Sequence, residues 1–270
     1  MWRVAHEFPL AGSPMHGSSI ATIVRTSSGD LAICNPVGFD DAIARQITEL
    51  GPVRWILAQG KAHSSFVEPA RRRFQGSLSI ASEGHLRHPP AGHLVVDGVL
   101  GRSTLPDELG LIPIAGHLFE EVMILDRPSR TLISQDVVAF SADERTFLSR
   151  LYTFAFGIVD PLGFPSLSLM LWQNMSALHG SFAALRDADF GHVIAAHGPI
   201  TPRSADVAAL HATLEHARGI TPLAHKAMLA RYFASQPGFL RDLLRYLKSS
   251  KGKRGARLRE STQTPSDSVA

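Results

Sequence analysis

The sequence predicts an α/β (α+β) protein in which helices lie outside two β-sheets. Short apolar runs rich in β-branched residues are separated by turn residues, which is typical of strands. Segments with helical spacing of apolar residues follow several of these runs, and the same alternation occurs in both halves of the chain. With 44% hydrophobic and 19% charged residues, a chain of 270 residues can bury the core that such a layered domain requires.

The first half of the chain alternates predicted strands with predicted helices. A turn at 27–30 joins two strands into a hairpin, and Asp40 is well placed to cap the helix that follows. Gly51 and Pro52 end that helix. The predicted strands cover 18–25, 31–34, 53–58 and 78–81, and the predicted helices cover 40–50 and 66–74.

The second half repeats this pattern around a turn at 127–130. Between the halves, the loop 82–90 carries His85 and His88, and His93 follows it; we expect a solvated loop here, because Pro89 and Pro90 prevent a regular presentation of metal ligands. The predicted strands cover 111–114, 121–125, 131–134 and 192–196, and the predicted helices cover 182–186, 207–218 and 223–247.

We divide the chain into a domain over 1–220, a helical extension over 221–247 and a basic, disordered tail over 248–270. The tail is polar, lacks periodicity and cannot bury enough apolar surface to offset its ordering entropy. Contact with nucleic acid or with an anionic membrane surface is the alternative for this tail. No other feature of the sequence favours a nucleic-acid partner, and the net charge is only +3.

The most apolar segment, 151–173, is long enough to suggest a membrane span, but Pro161, Gly163 and Pro165 interrupt it. We interpret it as a segment that covers a pocket, which favours a hydrophobic small-molecule substrate. The N-terminus lacks the apolar stretch of a signal peptide. The single cysteine, Cys34, excludes an internal disulfide and is interpreted as a buried apolar residue. These features favour a cytoplasmic location.

Polar side chains that could bind a metal ion come directly after predicted strands. They are the loop 59–64 with its His63, and then His117, Asp136 and His197. Imidazole nitrogens and carboxylate oxygens are ligands for zinc, iron and manganese. Each residue alone is explained by capping or hydrogen bonding, but together they indicate a possible site at the ends of several strands.

The order of these motifs resembles the metallo-β-lactamase superfamily over roughly residues 21–199. In that superfamily a strand ends in a His-x-His-x-Asp-His loop, and a Gly-His, a bridging Asp and a last His follow. The matching segments here are 55–64, Gly116–His117, Thr131–Asp136 and Ala196–Gly198. The stretch 121–136 also resembles a poorly characterised branch with a similarly altered loop. The resemblance implies a four-layer αββα sandwich of two mixed β-sheets.

The first motif departs strongly from the family pattern. Gln59 and Lys61 stand where the family has two histidines, His63 replaces the aspartate and Ser64 replaces the last histidine. The first metal position therefore keeps only His117. We predict a site for one divalent ion, zinc or else iron or manganese.

The ligands implied for this ion are His63, Asp136 and His197, with His117 as a further candidate. Asp136, Lys61 and His117 are the predicted catalytic residues, the last two positioning water or stabilising an oxyanion. The implied reaction is hydrolysis of an ester, lactone or thioester. The alternative is a metal-free, non-catalytic binding protein, in which Lys61 pairs directly with Asp136.

Overall fold

The computed structural model describes residues 1–9, 16–61, 63–87, 96–140, 162–163, 172–197 and 205–219, together with Leu223 and Ala227. The chain divides into two units, Met1–Ile220 and Thr221–Ala270. Apart from Leu223 and Ala227, which are helical, the predicted extension 221–247 and tail 248–270 lie outside the described residues. Most of the apolar segment 151–173 lies outside them as well.

The first sheet has six strands in the order of the sequence. The first strand pairs antiparallel with the second and the second with the third, whereas the third to the sixth strands run parallel to one another, so the sheet is mixed. The predicted strands in this half are confirmed, whereas the first and last strands were not predicted. The strands are β1 (Trp2–Pro9), β2 (His16–Arg25), β3 (Leu31–Cys34), β4 (Val53–Ala58), β5 (Leu78–Ala81) and β6 (Gly98–Val99).

The second sheet has four strands and is also mixed. Its members are β7 (Leu109–Pro113), β8 (Val122–Asp126), β9 (Thr131–Ile133) and β12 (His192–Ile194), and a separate pair is formed by β10 (Ala139–Phe140) and β11 (Leu162–Gly163). The order in the four-stranded sheet is β12-β9-β8-β7. The contacts of β8 with β7 and β9 are antiparallel, and β12 joins β9 in parallel.

The two sheets face each other across an apolar core. Along β3, Ala32 and Cys34 belong to this core, while Ile33 points to the opposite face of the sheet, as the two-residue period of a strand requires. The core between the sheets also contains Ile124 and Ile133 of the second sheet. All four residues of β3 are buried and belong in turn to opposite faces, so the first sheet has two apolar faces, each of which needs a cover.

Helices cover the outer faces. The helices are α1 (Asp41–Leu50), α2 (Val67–Arg73), α3 (Glu83–Arg87), α4 (Met175–Asp187) and α5 (Ala205–Arg218). Ile47 of α1 and Val67 of α2 pack on the outer face of the first sheet, and α4 and α5 lie against the second sheet. The result is the predicted sandwich of two mixed sheets between helices.

Polar caps begin two of these helices. The predicted cap of α1 is confirmed, because the Asp40 carboxylate accepts a hydrogen bond from the backbone N–H of Ile43 at 2.8 Å. Asn174 caps α4 in the same way. The cap explains why α4 begins at Met175, seven residues before the predicted start at 182.

One local prediction was wrong. The segment after Ser82 is not a solvated loop, because Glu83–Arg87 form α3 and the His85 side chain is completely buried. Its Nδ1 atom lies 3.4 Å from the carbonyl oxygen of Gly60, and its burial lowers the pKa of the imidazole. His88 and His93 lie outside the described residues.

Among the helices in the described part of the chain, none combines the length and the apolar character that crossing a bilayer requires.

Candidate metal centre

The candidate ligands lie where strands of both sheets end at the same edge of the sandwich. Asp136 follows β9 and His197 follows β12, and these strands are parallel, so their carboxyl ends point the same way. The loop after β4 joins this edge because the carbonyl oxygen of Gln59 accepts a hydrogen bond from the backbone N–H of Val122 at 2.7 Å. His63 follows in that loop.

Three of the predicted side chains converge there. Nε2 of His63 lies 2.9 Å from Oδ1 of Asp136 and 2.9 Å from Nε2 of His197. Nε2 of His197 lies 3.2 Å from Oδ1 of Asp136. All three side chains are partly accessible, with His197 the most exposed at 34%. Among the described residues, these three form the one group whose ligand atoms lie close enough to share a metal ion.

The chemistry of this donor set fits a divalent cation. Nδ1 of His197 lies 2.7 Å from the carbonyl oxygen of Ser18, which can only accept, so Nδ1 carries the proton and neutral His197 directs the lone pair of Nε2 towards Asp136. Three electron-pair donors at 2.9–3.2 Å repel one another unless a cation, a metal ion or a proton, lies among them. Tetrahedral zinc separates its N and O ligands by about 3.3 Å, so a small opening suffices.

The imidazole of His63 is oriented by a buried hydrogen-bond network. Its Nδ1 lies 3.0 Å from Oγ of Ser19, which also accepts a hydrogen bond from Nδ2 of Asn35 at 3.2 Å. Oδ1 of Asn35 accepts in turn from Nε2 of Gln135 at 3.2 Å. When Ser19 accepts a hydrogen bond from the N–H at Nδ1, the lone pair at Nε2 of His63 is left for a metal ion, so this network favours the tautomer that a metal site needs.

Charges in the group alter its protonation. Burial raises the pKa of Asp136, but the charges and hydrogen bonds of His63 and His197 outweigh burial, and the net pKa is well below its usual range. Burial lowers the pKa of His197, and the hydrogen bond and charge of Asp136 reverse this, so its net pKa is raised. The group thus holds a carboxylate that attracts positive charge, either protons or a metal ion.

The backbone is strained at this edge. His63 has a φ of 52°, in the left-handed region that side chains with a Cβ rarely adopt, and Asn35 and Glu120 have φ values of 52° and 48°. Of the four non-glycine residues with positive φ in the described chain, His63 belongs to the site, Asn35 bonds Ser19 and Glu120 pairs with Lys61. Such concentration of strain is typical of functional sites.

Lys61 does not form the ion pair that the metal-free alternative requires. Its ammonium lies 2.8 Å from the Glu120 carboxylate, and the Lys61 side chain is only 4% exposed. The hypothesis that Lys61 pairs directly with Asp136 is therefore wrong. Because Glu120 offsets the positive charge of Lys61, the ammonium repels a neighbouring divalent ion less than an unpaired lysine would.

Gln59 occupies the place of the first family histidine but acts between the sheets. Its side chain is completely buried, and its Nε2 donates to the carbonyl oxygens of Val122 and Ile133 at 3.2 and 3.0 Å. This position therefore holds the two sheets together at the edge where the candidate ligands lie.

His117 is placed apart from the three converging ligands. Its ring is buried, its Nδ1 accepts a hydrogen bond from the backbone N–H of Phe119 at 3.3 Å, and it packs edge-on against the Phe119 ring. Its backbone forms an isolated bridge with Trp172. It does not belong to the group that could share an ion, so its roles as a further ligand and in positioning water stay predictions.

Sequence reasoning missed Glu121, which is almost completely buried directly before β8. Its carboxylate accepts hydrogen bonds from the loop that carries Asp136. Burial raises the pKa of Glu121, and hydrogen bonds from the backbone of residues 135–137 offset this only in part, so the net pKa is raised. A buried acid beside an apolar strand is unusual, and the apolar run from Val122 was the available signal.

Comparison with known proteins identifies the fold. No protein family and no curated protein sequence matches the chain. The structure is similar to a metallo-β-lactamase from Pontibacter korlensis, with a TM-score of 0.52 and 14% identity over 80% of this chain and 94% of that chain. A metallo-β-lactamase from Hirschia baltica gives a TM-score of 0.53 and 13% identity over 80% and 92% of the two chains.

A third similar structure is the FIM-1 metallo-β-lactamase from Pseudomonas aeruginosa in its mono-zinc form. Its TM-score is 0.51, with 15% identity over 81% of this chain and 92% of that chain. At these identities the likeness concerns the fold. The chain has the metallo-β-lactamase fold, as the motif order predicts.

Proposed function

We propose that this protein is a hydrolase with a single divalent metal ion held by His63, Asp136 and His197. The observation that carries the proposal is the convergence of the three ligand atoms to within 2.9–3.2 Å of one another. Two imidazoles and one carboxylate form a known type of open catalytic set, in which a coordination position is left for water or substrate. Zinc fits this ligand set, with iron or manganese as the alternatives.

The altered first loop supports a single ion. Gln59 donates its amide N–H groups to backbone carbonyls, and Lys61 pairs with Glu120, so neither position supplies the imidazole that the resemblance assigns to a first metal ion. The FIM-1 structure, described as a mono-zinc form, has the same fold and supports a one-ion site by analogy.

When bound, the ion supplies Lewis acidity that activates water and polarises a carbonyl group. The residues of the chain prepare this chemistry. Ser18 and Ser19 orient the two imidazoles, and Asp136 keeps a negative charge at the centre of the group. Lys61, two residues before His63 in the sequence, is proposed to stabilise an oxyanion of the substrate with the part of its positive charge that Glu120 does not offset.

The proposed substrate is an ester, lactone or thioester with a hydrophobic group. The reaction class follows from a metal-activated water and a nearby cation, which together suit addition of water to a carbonyl. The hydrophobic character rests on the apolar segment 151–173. His117 is proposed to help position the attacking water.

Elemental analysis of protein purified without a chelator tests the proposal. Wild-type protein is expected to carry about one zinc, iron or manganese ion per chain, and Asp136→Ala and His197→Ala should lose it. Asp187→Ala and His192→Ala are matched controls, because both side chains are exposed and lie outside the group. Hydrolysis of a panel of aryl esters, lactones and thioesters should fall with the metal content.

A folded wild-type protein that contains no metal, and takes up none from added zinc, iron or manganese, contradicts the proposal. That result would favour the metal-free binding protein instead. Unchanged metal content and hydrolysis in folded Asp136→Ala would contradict it equally.

A further inference from the structure

Glu121 is a buried carboxylate that the proposed chemistry does not use directly, yet its surroundings are specific. Its Oε1 accepts hydrogen bonds from Oγ of Ser134 at 2.8 Å and from the backbone N–H of Gln135 at 2.7 Å. Its Oε2 accepts from the backbone N–H groups of Asp136 and Val137, both at 2.8 Å. The two carboxylate oxygens of Glu121 thus accept hydrogen bonds from four consecutive residues of one loop, 134–137.

That loop carries Asp136. Three successive backbone N–H groups and one hydroxyl point towards a single carboxylate, so the loop is wrapped around Glu121 rather than held by a regular strand. Because one of the bonds comes from the backbone of Asp136 itself, the position of Glu121 sets the position from which the Asp136 side chain extends. The same loop presents the Gln135 amide to Asn35, and Asn35 contacts the Ser19 hydroxyl next to His63.

We propose that Glu121 is a positioning residue, which sets the metal affinity of the site by fixing the loop 134–137 that presents Asp136. This inference rests on the proposed function, since it concerns the metal that His63, Asp136 and His197 would hold. Glu121 itself is not a ligand in this proposal. Loss of supporting contacts of this kind lowers metal affinity by about 10–100-fold in proteins.

The substitution Glu121→Gln tests the proposal with almost no change in volume. The remaining side-chain oxygen can serve only one pair of donors. The new NH₂ group must then face the other pair of N–H or O–H donors, and the loop has to move. We expect Glu121→Gln to bind Zn²⁺ about 10–100-fold more weakly than wild type, measured by competition with a chromogenic chelator.

Asp126→Asn is the matched control. Asp126 is also a buried acid on β8 and accepts a hydrogen bond from Ser129, but it lies at the opposite end of the strand, about 13 Å from Val122. We expect this variant to retain the Zn²⁺ affinity of wild type even where its stability is lower. Spectra of the Co²⁺-loaded proteins supply a second readout, since the intensity of the visible bands reports coordination number and geometry: Asp126→Asn should match wild type, and Glu121→Gln should not.

Ser134→Ala gives a milder version of the change, because it removes one of the four hydrogen bonds and should weaken Zn²⁺ binding several-fold. If Glu121→Gln does not fold, this variant decides the question. Wild-type affinity and an unchanged Co²⁺ spectrum in folded Glu121→Gln, or in Ser134→Ala where Glu121→Gln is unfolded, overturn the positioning role and leave the proposed function intact. A wild-type protein that binds neither Zn²⁺ nor Co²⁺ overturns both.

Discussion

The side-chain amide of Gln59 donates a hydrogen bond to the carbonyl oxygen of Ile133, 3.0 Å away in the opposite sheet. It donates a second bond to the carbonyl oxygen of Val122. The resemblance to the metallo-β-lactamase superfamily assigns a metal ligand to this position, but here the side chain connects the two sheets. The Gln59 side chain therefore has a structural role at the edge where the candidate metal site lies.

Replacement of Gln59 by Leu should lower stability without lowering metal content. Leu has a similar volume but no hydrogen-bond donor. The carbonyl oxygens of Val122 and Ile133 would therefore each lose the hydrogen bond from Gln59 in a buried environment. We expect the free energy of unfolding to fall by about 1–3 kcal/mol, measured by urea denaturation. Gln46→Leu, at an exposed position of α1, should change it by no more than about 0.5 kcal/mol. Equal stability of Gln59→Leu and wild type would show that the contact between the sheets contributes little.

Replacement of Lys61 by Met should lower hydrolysis while the metal stays bound. Met retains the apolar part of the side chain and removes the charge proposed to stabilise an oxyanion. We expect kcat to fall by about 10²–10³-fold with unchanged metal content, measured on the best substrate of the ester, lactone and thioester panel. Arg71→Met, which breaks the ion pair with Asp97, is the control for loss of a cation. Unchanged kcat in Lys61→Met would remove Lys61 from the catalytic residues.

The metal-free protein should lose stability as the pH rises above the ordinary pKa of histidine. Burial lowers the pKa of His197, but Asp136 raises it by a larger amount. His197 therefore binds its proton more tightly in the folded protein than in the unfolded chain. This stabilisation is complete below the ordinary histidine pKa of 6.5 and is lost as the pH rises through the higher folded value. The contribution of ionised Asp136, whose pKa is lowered, is lost in acid as the pH falls below its ordinary value of 3.8.

Urea denaturation of chelator-treated protein over a pH series measures this effect. Asp136→Asn should remove most of the decline above pH 6.5, because the carboxylate is what raises the pKa of His197. The same decline in wild type and Asp136→Asn would assign it to other groups. Added Zn²⁺ should reduce the decline in wild type, since an ion bound to neutral histidine replaces the proton.

Cys34 should react with thiol reagents only when the protein opens. Its side chain is completely buried between the sheets, and burial, with a contribution from Asp126, raises the pKa of the thiol to about 12. Compared with an ordinary cysteine, the thiolate fraction near neutral pH is then smaller by about 10³-fold. Labelling with a chromogenic disulfide reagent should be slower than in urea by at least this factor. Rapid labelling of the native protein would contradict the burial of the Cys34 side chain between the two sheets.

Local patterns were sufficient for most of the strands. The apolar run at 31–34 after its turn, the cap at Asp40 and the turn at 127–130 each depend on a few neighbouring residues, so they could be identified without the rest of the chain. β1 could not, because its apolar and polar residues do not alternate regularly and its place depends on pairing with β2. His85 was misplaced for the same reason, since its burial depends on contact with the loop after β4.

The amino-acid sequence showed that His63, Asp136 and His197 each follow a predicted strand. Because strand ends bring side chains to one edge of a sheet, this order predicted a shared site. The folded arrangement alone showed that these three converge, that His117 lies outside the group, that Lys61 binds Glu120 and that Glu121 organises the Asp136 loop. Those are contacts between residues far apart in the chain, and the packing of the buried side chains determines which residues pair. A buried charge or amide must find whichever donor or acceptor the packed sheets bring within about 3 Å.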